Sequence, residues 1–344
     1  MIWGRGGQAA GEKTLRFRRW FKRHLLKQSW MADSFADPLV QERMLVDGVR
    51  CETFREAIRR TVKPGDVVVD LGAGTGLLSF FAVQAGARHV YAIELSRIAD
   101  VAAELIAANG LRERITLIRG NSKKVRLPER CDVLVSETLS SFCFDTENTI
   151  EYIADARERF LKPGARIIPE ACETVLMPFS SDECGLGRIP ARFYDIAFDA
   201  FRRKRFALPE LIRASGKKLV EIAQPEQCHH VDFYKETKTP GPAVVVFKDC
   251  AAGRLDGFLG WFDCRLCPGV SISNSPQLPL TAWWQLFFRC LNSRRFARAK
   301  LFSCTSTPIW WRARRSGITE CMLDPRKRGN ELLPASVAAH KQTE

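Results

Sequence analysis

Val67-Val68-Val69-Asp70-Leu71-Gly72-Ala73-Gly74-Thr75-Gly76 is the stretch on which the fold turns. Val67 to Leu71 form a near-continuous apolar run, of the kind a parallel strand buried on both faces requires. A glycine turn follows at once and opens a helical pattern over 77–85. Working outward, Lys63-Pro64-Gly65-Asp66 makes the turn that precedes the strand. Residues 89–94 read as a second strand, 100–109 as a helix, and 115–118 and 132–136 as further strands. Residues 149–161 read as a helix closed by Lys162-Pro163-Gly164. Upstream, Leu39, Val40, Met44, Leu45 and Val49 recur at helical spacing. Strand–helix alternation of this kind implies a parallel sheet with right-handed crossovers. Residues 171–288 are strand-rich, with Pro and Gly as punctuation.

Composition sets outer limits. With 344 residues, 46% of them hydrophobic and 27% charged, the chain is long enough for one large or two smaller cores. A wholly disordered or collagen-like chain is excluded. No apolar run reaches the roughly 18–20 residues of a membrane-spanning helix. Twelve cysteines without regular spacing read as reduced thiols, and the expected compartment is cytoplasmic. The net charge of +14 invites a nucleic-acid reading, but the surplus sits in residues 1–28 and 289–328, and the rest carries a net −2. Nucleic acid is therefore not an expected partner.

The glycine turn marks a ligand site. Glycines let the backbone approach a ligand, and the helix N-terminus behind them offers free N–H groups. Glu94 ends the second strand, where a carboxylate accepts both hydroxyls of a ribose. Nicotinamide dehydrogenases, flavoproteins and methyltransferases share this much, so GxGxG alone does not separate them.

The wider pattern does. Asp70–Ser79, then Ala85-Gly86-Ala87, then Tyr91-Ala92-Ile93-Glu94, resembles the class I S-adenosylmethionine methyltransferases, and more narrowly the protein arginine methyltransferases. The resemblance runs from about residue 33 to 288. It implies an α/β chain: a Rossmann-like domain at 31–169, with an N-terminal helix, that binds S-adenosyl-L-methionine, then a β-barrel acceptor and dimerisation domain at 170–288. Asp70, Gly72, Gly74 and Gly76 then hold the methionine half of the cofactor, and Arg50 grips its carboxylate. Glu94 and Leu95 lie along the ribose. Asn121 and Ser122 border the adenine, where Asn121-Ser122-Lys123-Lys124 replaces the family's acidic pair. A lysine cannot accept a hydrogen bond from the adenine amine.

On the acceptor side, Glu137 ends the fourth strand at the sheet's carboxyl edge, where open α/β folds bind ligands. Glu147 follows ten residues later, and the two match the family's pair of glutamates. A guanidinium presents a planar fork of donors that carboxylates accept in parallel, so such a pair suits an arginine acceptor. Glu137 also borders the cofactor. Trp283, in Thr281-Ala282-Trp283, corresponds to the family's Thr-His-Trp loop and is the third candidate catalytic residue. The segment 188–209, with Phe193, Tyr194 and Phe198, stands where the family carries a dimerisation arm, which implies a homodimer.

Departures fall on that same side. Ala282 replaces the histidine, with Asp33 expected at the place of its acidic partner, and Met31-Ala32-Asp33-Ser34-Phe35 lacks the family's two tyrosines. Two other functions therefore stay open: a methyltransferase of this fold with a non-arginine acceptor, and a degenerate module that binds without catalysing. Cys264-x-x-Cys267 with Cys228, His229 and His230 reads as incidental, and no metal is expected. Residues 15–26 form a basic amphipathic stretch that a membrane surface or a transit peptide would also explain.

The basic ends fit the pattern poorly. Met31 is the expected start, with 1–30 disordered or translated upstream sequence. Residues from about 289 are expected to form a basic tail read out of frame. Codons permitted for 290–310, shifted by two bases, admit a turn followed by an alternating strand. Sequencing the underlying DNA tests this: a single-base slip should restore that strand, and its absence refutes the expectation.

Overall fold

Val67–Leu71 (β1) is buried along its whole length, as a strand covered on both faces must be. The structure, a computed structural model, describes residues 35–144, 148–181, 190–206, 209–214, 219–241, 243–296, 299–305, 310–313 and 319–322. Around β1 lie His89–Glu94 (β2), Ile115–Arg119 (β3), Cys131–Ser136 (β4) and Leu161–Ile168 (β5), all parallel, in the order β3-β2-β1-β4-β5. The strand order reverses between β1 and β2 on one side and β4 on the other. It is beyond the carboxyl edge at such a switch point that open α/β sheets bind ligands.

The N-terminal helical stretch is two helices, Pro38–Leu45 (α1) and Gly48–Thr61 (α2). Each begins with a capping aspartate: Asp37 accepts from the Leu39 N–H and Asp47 from the Arg50 N–H, both at 2.9 Å. The second cap breaks the single apolar face that the spacing suggests, and Leu39, Leu45, Val46 and Val49 are exposed. Leu77–Gln84 (α3), Ala99–Ala108 (α4) and Thr149–Phe160 (α5) are the crossover helices. Lys162-Pro163-Gly164, read as a helix stop, is the opening of β5, with Gly164 at φ +73°.

Beyond β5 the chain enters an antiparallel region. Its spine is Ala171–Ser180 (β6) against Gly253–Cys267 (β13), with Gln285–Phe296 (β15) on the other side of β13. Numbered in chain order, the remaining strands are β7 (Arg192–Phe193), β8 (Ile196–Ala197), β9 (Glu210–Ile212), β10 (Val220–Glu221), β11 (Glu226–Asp232), β12 (Val244–Cys250) and β14 (Val270–Ser273), with β16 (Ala299–Thr305), β17 (Trp310–Ala313) and β18 (Thr319–Met322) after β15. The path runs β10-β6-β13-β15-β9, with β11 also on β6 and β14 on β13. A boundary at 288 falls inside β15: the strand continues to Phe296 because Gly253, Arg254 and Leu255 pair with Phe296, Arg295 and Arg294. Ala299–Thr305 then pairs with β12. Helix α6 (Asp199–Phe206) interrupts the strand-rich region that the sequence suggests.

Alternate residues of β6 and β13 feed two apolar layers. Leu176, Leu255 and Phe258 pack on one face, and Val175, Met177, Leu259 and Trp261 on the other. Farther along β13, Phe262, Cys264 and Leu266 join the core of the parallel sheet, so the two sheets share one apolar interior. Gly260 permits a close crossing there: a methyl group would stand 2.8 Å from the Phe142 ring and 2.9 Å from that of Phe288. Gly260→Ala should therefore cost about 1–3 kcal/mol and displace Phe142, with the melting midpoint lowered by several degrees in calorimetry. An unchanged midpoint would contradict this packing.

Candidate active site

The glycine turn between β1 and α3 is stitched to β2: the N–H groups of Gly72 and Ala73 donate to the Ile93 carbonyl at 2.9 and 3.0 Å. Gly72, Gly74 and Gly76 all have positive φ (+75°, +57° and +86°). A side chain at Gly72 would meet Thr138 Cγ2 at 2.8 Å, so the strain has a steric partner. Over Gly74 lies Gln41, buried on α1, whose Nε2 donates to the Phe35 carbonyl at 2.7 Å. Gln41 carries no motif signal; only its burial on a helix with exposed apolar residues marks it.

Asp70, the penultimate residue of β1, is almost completely buried. One carboxylate oxygen accepts from Ser79 Oγ at 2.6 Å, and the other, Oδ1, is buried without a partner among the described residues. Burial pushes its carboxyl up to about 7, and the negative charges of Glu94 and Glu137 add to the rise. Glu94 is also buried, and its two oxygens accept from the backbone N–H groups of Gly74 (2.8 Å) and Ser96 (2.7 Å). It is thus fixed in place with lone pairs to spare. Leu95 beside it is 47% exposed.

Past β3, Asn121 caps a short 3-10 turn over Ser122–Lys124, its Oδ1 accepting from the Lys123 N–H at 3.0 Å. The buried Ser122 gives its carbonyl to Arg159 at 2.5 Å. Both residues expected to border a base are therefore structural members of the turn as well.

Arg50 and Glu137 meet directly. Arg50 Nε donates to Glu137 Oε2 at 2.8 Å, and Nη2 donates to the same oxygen. Nη1 donates to the Met44 carbonyl at 3.0 Å. The Glu137 side chain is 7% exposed; burial raises its pKa and the guanidinium pulls it back. An arginine expected to grip a ligand carboxylate here grips one of the protein's own.

Trp283 supports this pair. Its ring lies 5.9 Å from the Arg50 guanidinium carbon and edge-on to Phe262, and its Nε1 donates to the Leu139 carbonyl at 2.8 Å. It holds the loop that follows Glu137. Ala282 keeps a contact without an imidazole: its backbone N–H donates to Asp47 Oδ2. The acid facing position 282 is thus Asp47, the cap of α2, whereas Asp33 lies outside the described residues. An aspartate three positions before Arg50 was a legible helix-cap signal; its second bond was not. Asn274, fully enclosed, clamps the same region, donating to the Ser141 and Trp284 carbonyls at 2.9 Å each and accepting from the Phe262 N–H at 2.8 Å. Glu147 lies outside the described residues.

Among the described residues, no group of three or more His, Cys, Asp or Glu is arranged to hold a metal. His229 is engaged by Thr174 Oγ1 at 3.0 Å and the Gly241 carbonyl at 3.1 Å.

Two outcomes follow from these contacts. The folded protein holds the Asp70 proton more tightly than the unfolded chain, so this stabilisation is complete below about pH 4 and is lost as pH rises through about 7. Melting midpoints of Asp70→Asn should lack that part of the decline, and identical pH slopes in both proteins would contradict it. Asn274→Ala leaves buried backbone groups unpaired and should cost about 2–4 kcal/mol in denaturant unfolding.

Comparison with known proteins extends these observations. The family model for ribosomal protein L11 methyltransferase (PrmA) matches residues 54–169. A probable histone-arginine methyltransferase 1.4 of Arabidopsis thaliana is 33% identical over 277 residues, which is 74% of this chain and 51% of that protein. A probable protein arginine N-methyltransferase 6 of the same plant is 32% identical over 241 residues, 67% of this chain and 55% of the relative. The chain thus spans about half the length of the curated relatives it matches. In fold, it is similar to the Trypanosoma brucei PRMT1 enzyme-prozyme heterotetrameric complex solved with AdoHcy, at TM-score 0.72 and 22% identity over 81% of this chain and 89% of that one. With the glycine turn, Glu94 and Glu137 set along one crevice, and with these relatives in sequence, the chain belongs to the protein arginine methyltransferase family.

Proposed function

We propose that the chain transfers a methyl group from S-adenosyl-L-methionine to a guanidinium nitrogen of arginine in a protein. The observation that carries the arginine reading is Glu137 itself: its buried carboxylate already receives two donors of a guanidinium fork.

The cofactor reading rests on three features of the cradle. Asp70 Oδ1 is a buried acceptor lacking a donor among the described residues, Gly72 admits no side chain, and Glu94 is locked by two backbone amides. Asp70 suits an ammonium and Glu94 a pair of ribose hydroxyls. When bound, the cofactor supplies an electrophilic methyl group on a sulfonium. Glu137 orients the acceptor fork and draws positive charge toward the nitrogens it binds, leaving electron density on the third. Positioning and electrostatics carry most of the rate in such an arrangement. Trp283 and Asn274 fix the loop that bears Glu137, and Glu147 is assigned as its companion by sequence alone.

A second reading has one specific support. At position 282 only a backbone amide faces Asp47, so an acceptor other than arginine stays open. We further propose that the antiparallel strands enclose the acceptor as a barrel and that the chain acts as a homodimer. The hairpin and helix at 190–206 leave Phe193, Tyr194, Ile196 and Phe201 exposed, a cluster suited to a second copy. A cytoplasmic location accords with Cys51, Cys131, Cys172, Cys250, Cys264 and Cys267, which are free thiols.

Labelled cofactor with arginine-rich peptides tests the reading. Glu137→Gln should reduce transfer by at least about a hundredfold while cofactor affinity stays within a few-fold, and amino-acid analysis of the product should find methylarginine. Label on another residue would favour the second reading, and no binding heat would favour a non-catalytic module. Cofactor binding near pH 7 should also release a proton as Asp70 ionises beside the ammonium. The calorimetric enthalpy should then differ between phosphate and Tris buffers, and the difference should vanish in Asp70→Asn.

A further inference from the structure

We infer that Gln285 is a positioning residue for methyl transfer: its amide closes the neck of the loop that bears Trp283, and so sets where Glu137 stands. The inference rests on the function proposed above and deepens it.

The loop leaves the sheet after β14 and returns at Gln285, the first residue of β15. Two reciprocal bonds join its ends. Gln285 Nε2 donates to the Asn274 carbonyl at 2.6 Å, and Asn274 Nδ2 donates to the Trp284 carbonyl at 2.9 Å. Between those ends, Ala282 meets Asp47, the cap that presents Arg50, and Trp283 meets the Leu139 carbonyl. The Asn274 amide also reaches the Ser141 carbonyl at 2.9 Å. Trp283 and Asn274, which hold Leu139 and Ser141 just beyond Glu137, are thus kept in register by one neck.

The neck calls for a group that donates and accepts at once. On the side away from Asn274, Gln285 Oε1 accepts from the Ala214 N–H at 2.9 Å, two residues past β9. One partner is a main-chain acceptor and the other a main-chain donor, so the orientation of the amide is fixed by its neighbours. Gln285 is 3% exposed, and a side chain lacking either function leaves a buried main-chain group unpaired. Methionine matches its length and makes neither bond. Glutamate keeps the acceptor, but only its protonated form can donate to Asn274. Burial raises the pKa of such a carboxyl, so its acid form dominates at low pH and is lost as pH rises. Turnover measured on folded protein does not register stability, yet about 1 Å of misplacement at a reacting group can cost a hundredfold.

The test uses the full chain, labelled S-adenosyl-L-methionine and an arginine-rich peptide. Gln285→Met should lower kcat by about tenfold or more, while the dissociation constant of S-adenosylhomocysteine stays within about threefold of the wild type. Gln285→Glu should approach wild-type turnover near about pH 6 and fall about tenfold below it by about pH 9, as the carboxylate forms against the Asn274 carbonyl. Wild-type kcat in Gln285→Met overturns the inference. So does a pH profile of Gln285→Glu that runs parallel to the wild type. Amide hydrogen exchange gives a readout independent of transfer: it should quicken by about tenfold at residues 139–143 in Gln285→Met and stay unchanged across β1. Unchanged exchange at 139–143 also overturns the inference. A wild-type protein that methylates no arginine overturns the proposed function instead, and the exchange rates still decide the role of Gln285.

Discussion

A carboxylate taken out of water needs a counter-charge, and at the carboxyl edge of the parallel sheet Arg50 supplies one to Glu137. Much of the site can be traced from that pair. Arg50 is presented by α2, whose N-terminus is fixed by Asp47. Asp47 in turn holds the backbone at Ala282, next to Trp283, and Trp283 ties the carbonyl of Leu139, two residues beyond Glu137. The circuit closes on itself across both sheets. Each bond in it is ordinary; its closure is what keeps two buried charges, 87 residues apart along the chain, in register with one another.

The parallel half of the molecule was legible because its signals are local. A strand buried on both faces must be apolar throughout, and Val67–Leu71 is; a turn with three positive-φ positions must use glycine, and Gly72, Gly74 and Gly76 do. Glu94 and Glu137 followed from the rule that ligands meet open α/β sheets beyond the strand ends. Periodicity erred where a polar residue intervened. The apolar spacing from Leu39 to Val49 suggested one helical face, yet Asp47 starts a new helix within it and leaves Leu39, Leu45 and Val49 exposed.

What escaped the sequence depends on long-range contact. Nothing near Asn274 announces that its amide will bridge Ser141, Trp284 and Phe262, since those partners lie on three separate segments. Gln41 over Gly74 is similar. The pairing of Arg50 with Glu137 was hidden for another reason: the sequence assigns each a ligand, and only the fold reveals that they answer one another. The antiparallel side was harder again, because β15 crosses a stretch, 289–296, whose composition gives no alternating pattern, and it is carried by its partner β13. A ladder can impose a strand that local preference does not ask for.

The bond between Asp47 and position 282 carries one evolutionary consequence. Its donor is a main-chain amide, and nearly every amino acid brings the same amide. A lineage could therefore exchange the side chain there freely without untying the helix from the loop, proline excepted, since its ring nitrogen has no hydrogen to give. Such a position is a natural place for the chemistry of a pocket to drift while its architecture stays put.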